Sequence, residues 1–187
     1  MHKALICDND LFILNTISNA LRMLGISDLQ LCSQRQTALE ISTAYHPDII
    51  FLEAAQPING IDLAEAIRKS SSALSILLLE NSDEQLVKQA IARQIDSFLA
   101  KTVMEKDPAS VVRISIANAR LAAELRNRLE KAERSLAERK IIERAKGIMM
   151  LKEKLSEEEA YRRMRNQSMS QRTSMVKHAE KILEVYL

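Results

Sequence analysis

Asp48-Ile49-Ile50-Phe51-Leu52, followed by Glu53, reads as a strand that ends on an acid. Its four consecutive apolar side chains point to both faces of the strand, so both faces need cover, as in a parallel sheet flanked by helices. Lys3–Cys7 (KALIC) and Leu74–Leu79 (LSILLL) repeat that pattern, and Leu29–Cys32 and Ser97–Ala100 complete five predicted strands. Helical spacing fills the gaps. Phe12, Ile13, Ile17, Ala20, Leu21 and Leu24 form one stripe, stopped by Gly25. Ala38, Leu39, Ile41 and Ser42 lie in a second helix that ends before Pro47; Leu63, Ala64 and Ile67 carry a third; Leu86, Ala90 and Ile91 carry a fourth. Ser82 with Gln85 has capping-box spacing for that fourth helix, and Asp107-Pro108 opens a fifth. Strand–helix units repeated at this size predict an α/β fold, a doubly wound sheet of five parallel strands.

The charge of the whole chain conceals a division. The 187 residues carry a formal net charge of +2, but residues 1–107 hold 9 basic and 14 acidic side chains, while residues 108–187 hold 18 and 11. Such asymmetry predicts two domains, the second facing a polyanion. No apolar run reaches the ~18 residues of a membrane span, and Asp8 interrupts the N-terminal stretch too early for a signal peptide. Cys7 and Cys32 make neither a disulfide framework nor a metal spacing, and His2, His46 and His178 lack ligand spacing. The expectation is a cytoplasmic protein that is not an enzyme and has no cofactor or metal, with both thiols buried.

In a doubly wound sheet, chemistry collects beyond the carboxyl ends of the strands. Those ends are Asp8-Asn9-Asp10, Glu53, Glu80 and Lys101. With HPDIIFLE and FLAK, this set resembles the receiver domain of two-component response regulators over roughly residues 1–120. The resemblance implies a flavodoxin-like strand order. It also exposes departures. A receiver has Asp as phosphoryl acceptor where Glu53 stands, a second carboxylate for Mg²⁺ at Asn9, and Ser or Thr at Glu80. Thr102 stands where Pro usually follows the lysine, and the AAQPING loop is one residue short. One added methylene displaces a nucleophile enough to cost orders of magnitude in an in-line transfer. The pocket Asp8, Asn9, Glu53, Glu80 and Lys101 is therefore expected not to be phosphorylated, with Lys101 paired to Glu53 or Glu80.

After Pro108 there is no proline, and the only glycine is Gly147. A helix over residues 108 to about 153 would be ~70 Å long. Ala122, Leu125, Leu129, Ala132 and Leu136 step by three and four along it, the spacing of a coiled-coil seam, and a parallel homodimer is the simplest partner. The predicted division is 1–120, a linker helix 121–139, and a basic three-helix bundle 140–187. In the bundle, Ser156 with Glu159 forms a capping box for a second helix reaching about Gln167, with Ala160, Tyr161 and Met164 on the core side. Ser170 caps a third helix over 171–186, whose apolar face is Met175, Val176, Ala179, Ile182, Leu183 and Tyr186.

Ala145-Lys146-Gly147, the Met pair after it, Glu159-Ala160-Tyr161, Met164-Arg165, Met169 and Ala179 carry a second resemblance, to the ANTAR domain of RNA-binding antiterminators. A receiver followed by a coiled coil and this domain is similar to the nitrate-responsive antiterminators as whole proteins. The resemblance implies binding to hairpins in a nascent leader transcript, and a sensor protein acting on the acidic half. Of the 18 basic residues in the second half, 11 are Arg, which stacks on bases and forks onto phosphate. The candidate RNA contacts are Lys146, Arg162, Arg165, Gln171 and Arg172. Gly147 costs its helix about 1 kcal/mol against Ala, so it needs a reason, such as close helix packing or close RNA approach. Tyr161 and Tyr186 are expected on apolar faces, which leaves no aromatic stacking platform. Three other readings stay open: a DNA-binding response regulator, a phosphorylatable receiver, and a dimeric adaptor that binds only protein.

Overall fold

The computed structural model describes residues 3–80, 84–104 and 107–186. Its contacts divide the chain into two units, Met1–Leu125 and Arg126–Leu187.

In the first unit β1 (Lys3–Cys7), β2 (Asp28–Cys32), β3 (Ile49–Glu53), β4 (Leu74–Leu79) and β5 (Ser97–Ala100) form one parallel sheet in the order β2-β1-β3-β4-β5. Every residue of β3 and β4 is buried, which is what their unbroken apolar runs require. The helices are α1 (Leu11–Met23), α2 (Arg35–Tyr45), α3 (Gly60–Arg68), α4 (Glu84–Ala92) and the start of α5 (Pro108–Glu153). One core, on the α1 and α5 side, gathers Ile6, Ile17, Leu21, Phe51, Ile76 and Val112. The other, on the α2–α4 side, gathers Leu5, Cys7, Leu52, Ile58, Leu63 and Leu77. Two apolar assignments fail. Phe12 and Ile91, placed in helix stripes, are 65% and 66% exposed. The Ser82 cap lies outside the described residues.

Connections are fastened by side chains. The Asp96 carboxylate accepts hydrogen bonds from the Ser75 backbone N–H and hydroxyl, both at 2.8 Å, and so clips the start of β5 to the start of β4. Arg35 donates to the carbonyls of Ile58 and Asn59, at 3.1 and 3.0 Å, bracing the loop that follows β3. At Gly60 the first turn of α3 lies against β3. A Cβ there would sit 2.5 Å from the Glu53 carbonyl oxygen and 2.9 Å from Leu77, so only glycine fits without moving the backbone that carries Glu53.

In the second unit, α5 meets α6 (Glu157–Ser170) and α7 (Met175–Tyr186) around Ala145, Met149, Ala160, Met164, Ala179 and Ile182. The capping box at α6 is complete: Ser156 accepts from the Glu159 N–H, and Glu159 accepts from the Ser156 N–H. The cap of α7 is Ser174 rather than Ser170. Ser174 accepts from the Lys177 N–H, whereas Ser170 ends α6 and donates back to the Gln167 carbonyl. Gln171 and Arg172 therefore lie in the α6–α7 turn, with Arg172 at a left-handed φ of 50°. His178, buried between these helices, bonds the Gln167 side chain at 3.0 Å through Nε2. Burial, with nearby Lys181, holds its pKa below the usual histidine value. Among the described residues no helix is long and apolar enough to cross a membrane.

Candidate functional site

The strand order reverses between β1 and β3, and the crevice at their carboxyl ends is where such sheets place ligands. Asp8 follows β1, Glu53 ends β3 and Lys101 follows β5. All three are buried: Asp8 is 0%, Glu53 3% and Lys101 8% exposed. The Lys101 ammonium lies 2.9 Å from Asp8 Oδ2 and also ion-pairs with Glu53 Oε2. The remaining oxygens are held by backbone. Asp8 Oδ1 accepts from the Asp10 N–H at 2.8 Å, and Glu53 Oε1 accepts from the Ala55 N–H at 3.1 Å. The sequence reading offered Lys101 either Glu53 or Glu80. The structure selects Glu53 and adds Asp8, while Glu80 is exposed just past the end of β4. Asn9 is exposed too, and Asp10 turns its carboxylate onto the Phe12 N–H as the cap of α1.

This set does not suit a divalent cation. An ammonium already touches both buried carboxylates, Asn9 brings no charge, and among the described residues no group of three His, Cys, Asp or Glu side chains could hold a metal. What the crevice contains is a cation covalently attached to the chain and shared between two acids.

The second unit offers a different surface. On α6 the buried stripe is Ala160, Met164 and Ser168, stepping by four. Tyr161, Arg165 and Met169 step by four in the same way, one residue further round, and all three are exposed; Arg162 lies beside them, also exposed. Tyr161, expected in the core, is 48% exposed, so an aromatic ring and a guanidinium share an open helix face. Tyr186 is also exposed, and its hydroxyl donates to Glu153. The signal for Tyr161 was present in the sequence: Ala160 and Met164 alone satisfy the period of four, which leaves Tyr161 about 100° away.

Lys146 corrects a second expectation. It is only 8% exposed, and its ammonium lies 2.6 Å from Glu143 and 2.8 Å from Glu157. Those two carboxylates hold its pKa above the usual lysine value. Lys146 thus fastens the start of α6 to α5 and offers no open ammonium. Arg163 ties the same helices together through Glu153 at 2.6 Å. Arg162, Arg165, Gln171 and Arg172 remain exposed. Gly147 has open space where its side chain would be, with nothing within 4 Å of an added Cβ, so packing against a neighbouring helix of this chain does not explain it. Along the predicted seam, Leu125, Leu129 and Leu136 are each more than half exposed, Ala132 is exposed and Ala122 half-buried.

Comparison with known proteins divides at the same place. The response regulator receiver domain matches residues 4–113 and the ANTAR domain matches residues 130–183. The transcriptional regulatory protein PdtaR of Mycobacterium tuberculosis is 26% identical over 183 residues, covering 97% of this chain and 89% of that protein. Among solved structures, the receiver domain of the response regulator NarL from Mycobacterium tuberculosis superimposes with a TM-score of 0.55 at 19% identity, covering 64% of this chain and 96% of that one. A CheY-like receiver protein from Methanospirillum hungatei gives 0.56 at 13% identity, covering 66% and 98%. These two likenesses establish the receiver fold of the first unit.

Proposed function

This chain belongs to the response regulator receiver family and carries an ANTAR domain, and we propose that it is a transcription antiterminator that binds hairpins in nascent leader RNA. The observation that carries the proposal is the ANTAR match over residues 130–183, coinciding with an exposed face of α6 that presents Tyr161, Arg162 and Arg165. Hairpin loops display unstacked bases, and a tyrosine ring beside a guanidinium is suited to stack on them while neighbouring Arg side chains meet phosphate. Gln171 and Arg172, in the turn after α6, extend the contact surface. A labelled tandem-hairpin RNA and a DNA duplex of matched length, titrated across salt, test the proposal. With about six phosphate contacts to single-stranded loops, log K against log salt should have a slope near −4. Equal affinity for the duplex would refute the reading and favour a DNA-binding regulator.

The first unit, on this proposal, receives its signal by contact with a sensor protein in the cytoplasm and not by phosphoryl transfer. Support comes from the crevice, where Glu53 replaces the acceptor and the Lys101 ammonium already pairs with both acids. Leu11 and Phe12, exposed on the first turn of α1 beside Asp8, are apolar side chains suited to a protein partner. Incubation of the full chain with acetyl phosphate and Mg²⁺ should leave the intact mass unchanged. A stable product heavier by one phosphoryl group would overturn this part of the proposal.

The same proposal makes the protein a homodimer through α5. Leu125, Leu129 and Leu136 would fill the seam with Ala122 and Ala132. Light scattering should return twice the chain mass at micromolar concentration, and Leu129→Arg should return a monomer. A wild-type monomer at those concentrations would refute the dimer.

A further inference from the structure

Beyond the crevice, two thiols are brought together by the topology. Cys7 ends β1 and Cys32 ends β2, and in the parallel ladder they are direct partners. Direct partners on parallel strands point to the same face, and both side chains enter the α2–α4 core. Neighbouring strands lie about 4.8 Å apart, within the separation of about 4.4–6.8 Å that a disulfide spans between Cα atoms. Each thiol acts on the other's ionisation, Cys32 raising the pKa of Cys7 and Cys7 lowering that of Cys32. Each thiol also lies against a backbone carbonyl, Cys7 Sγ 3.8 Å from Gln34 O and Cys32 Sγ 3.9 Å from Ile6 O.

We propose that Cys7 and Cys32 form a redox-modification site, a dithiol that a small two-electron oxidant such as hydrogen peroxide converts to an intramolecular disulfide. Cys32 is the attacking residue. It lies at the end of an edge strand and retains 9% exposure, while Cys7 has none. The Cys32 thiol first gives up its proton, and the thiolate sulfur attacks one peroxide oxygen; the O–O bond breaks, and the departing hydroxide takes up that released proton to become water. The Cys7 sulfur then loses its proton and attacks the Cys32 sulfenic acid. The S–O bond breaks as the S–S bond forms, and the second hydroxide leaves as water with the Cys7 proton. Two thiols give up two electrons in total, and one peroxide is reduced to two waters. Position gives the bond a consequence. Asp8 follows Cys7 directly and its N–H donates to the Cys32 carbonyl at 3.1 Å, so the disulfide closes at the rim of the Asp8–Lys101 crevice.

The experiment treats the reduced full chain with graded hydrogen peroxide, with intact mass and non-reducing tryptic mapping as readouts. Cleavage after Lys3, Arg22 and Arg35 puts each cysteine on its own peptide, 4–22 and 23–35. The expected result is loss of two hydrogen atoms from the intact monomer, with these peptides linked, reversed by dithiothreitol. Circular dichroism should show the oxidised chain still folded. Cys7→Ser and Cys32→Ser should each abolish the linked peptide. Retention of both thiols at doses that consume free cysteine in the same tube would overturn the proposal. So would a link that forms only in urea, or a major product that is sulfinic acid or a disulfide between two chains.

Discussion

Replacing Lys101 with methionine is expected to destabilise the first unit by about 3–5 kcal/mol. The ammonium is the cation that faces Asp8 and Glu53 in the crevice, and both carboxylates are almost wholly buried. Methionine keeps most of the volume of the side chain and removes its charge, leaving two buried acids at the head of one crevice. The cost comes from that uncompensated charge, since a buried pair contributes little net stability but is expensive to break from one side. Urea denaturation of the full chain measures it. A second substitution gives the test its specificity: Glu53→Gln in the Lys101→Met background should recover part of the loss by removing one of the stranded charges. If Lys101→Met costs no more than an exposed ion pair, under about 1 kcal/mol, the crevice is not held by its internal cation. The proposed exclusion of phosphoryl transfer would then rest on the replacement of the acceptor by Glu53 alone.

The parts of this protein that were legible from sequence are those governed by period and by end signals. Unbroken apolar runs gave β1, β3 and β4 without ambiguity, because a strand covered on both faces cannot alternate. Proline at 108 and the lack of any later proline gave the extent of α5. Misreadings arose where one residue type satisfies two local rules. Ser170 and Ser174 stand four apart and either could cap a helix; the choice turned on α6 continuing three residues past Gln167, which moves Gln171 and Arg172 from a helix into a turn. Phe12 is apolar, but the buried stripe of α1 runs through Ile13, Leu14, Ile17, Ala20 and Leu21, and Phe12 falls outside it.

Other features depend on contacts between distant parts of the chain. No spacing reveals that Lys101 meets Asp8 across 93 positions, since the meeting requires β1, β3 and β5 to end at the same edge. Nor does counting cysteines reveal that Cys7 and Cys32 are ladder partners; that follows only once β2 is placed beside β1. Lys146 misled for the same reason. It has the chemistry of a phosphate contact, but Glu157 reaches it from the next helix and spends that charge inside the protein.

Gly147→Ala is expected to separate folding from RNA binding. Gly147 lies within α5, where alanine is more favourable by about 1 kcal/mol because glycine loses more backbone freedom on folding. An added Cβ would meet nothing within 4 Å, so no clash within the chain offsets that gain. The variant should therefore unfold at higher urea than the wild type. If RNA comes close to α5 at this position, the same methyl group stands in its way, and affinity for the tandem hairpin should fall by at least tenfold while the salt slope stays unchanged, because no phosphate contact has been removed. Arg165→Ala should do the opposite. It should leave stability within about 0.5 kcal/mol, as expected for an exposed side chain, while weakening RNA binding and lowering the magnitude of the slope by about 0.7 for the one lost contact. Two different signatures on one ligand distinguish steric approach from charge. Should Gly147→Ala gain stability and keep full affinity, the glycine is not part of the RNA interface, and binding would have to rest on the α6 face and the turn that follows it.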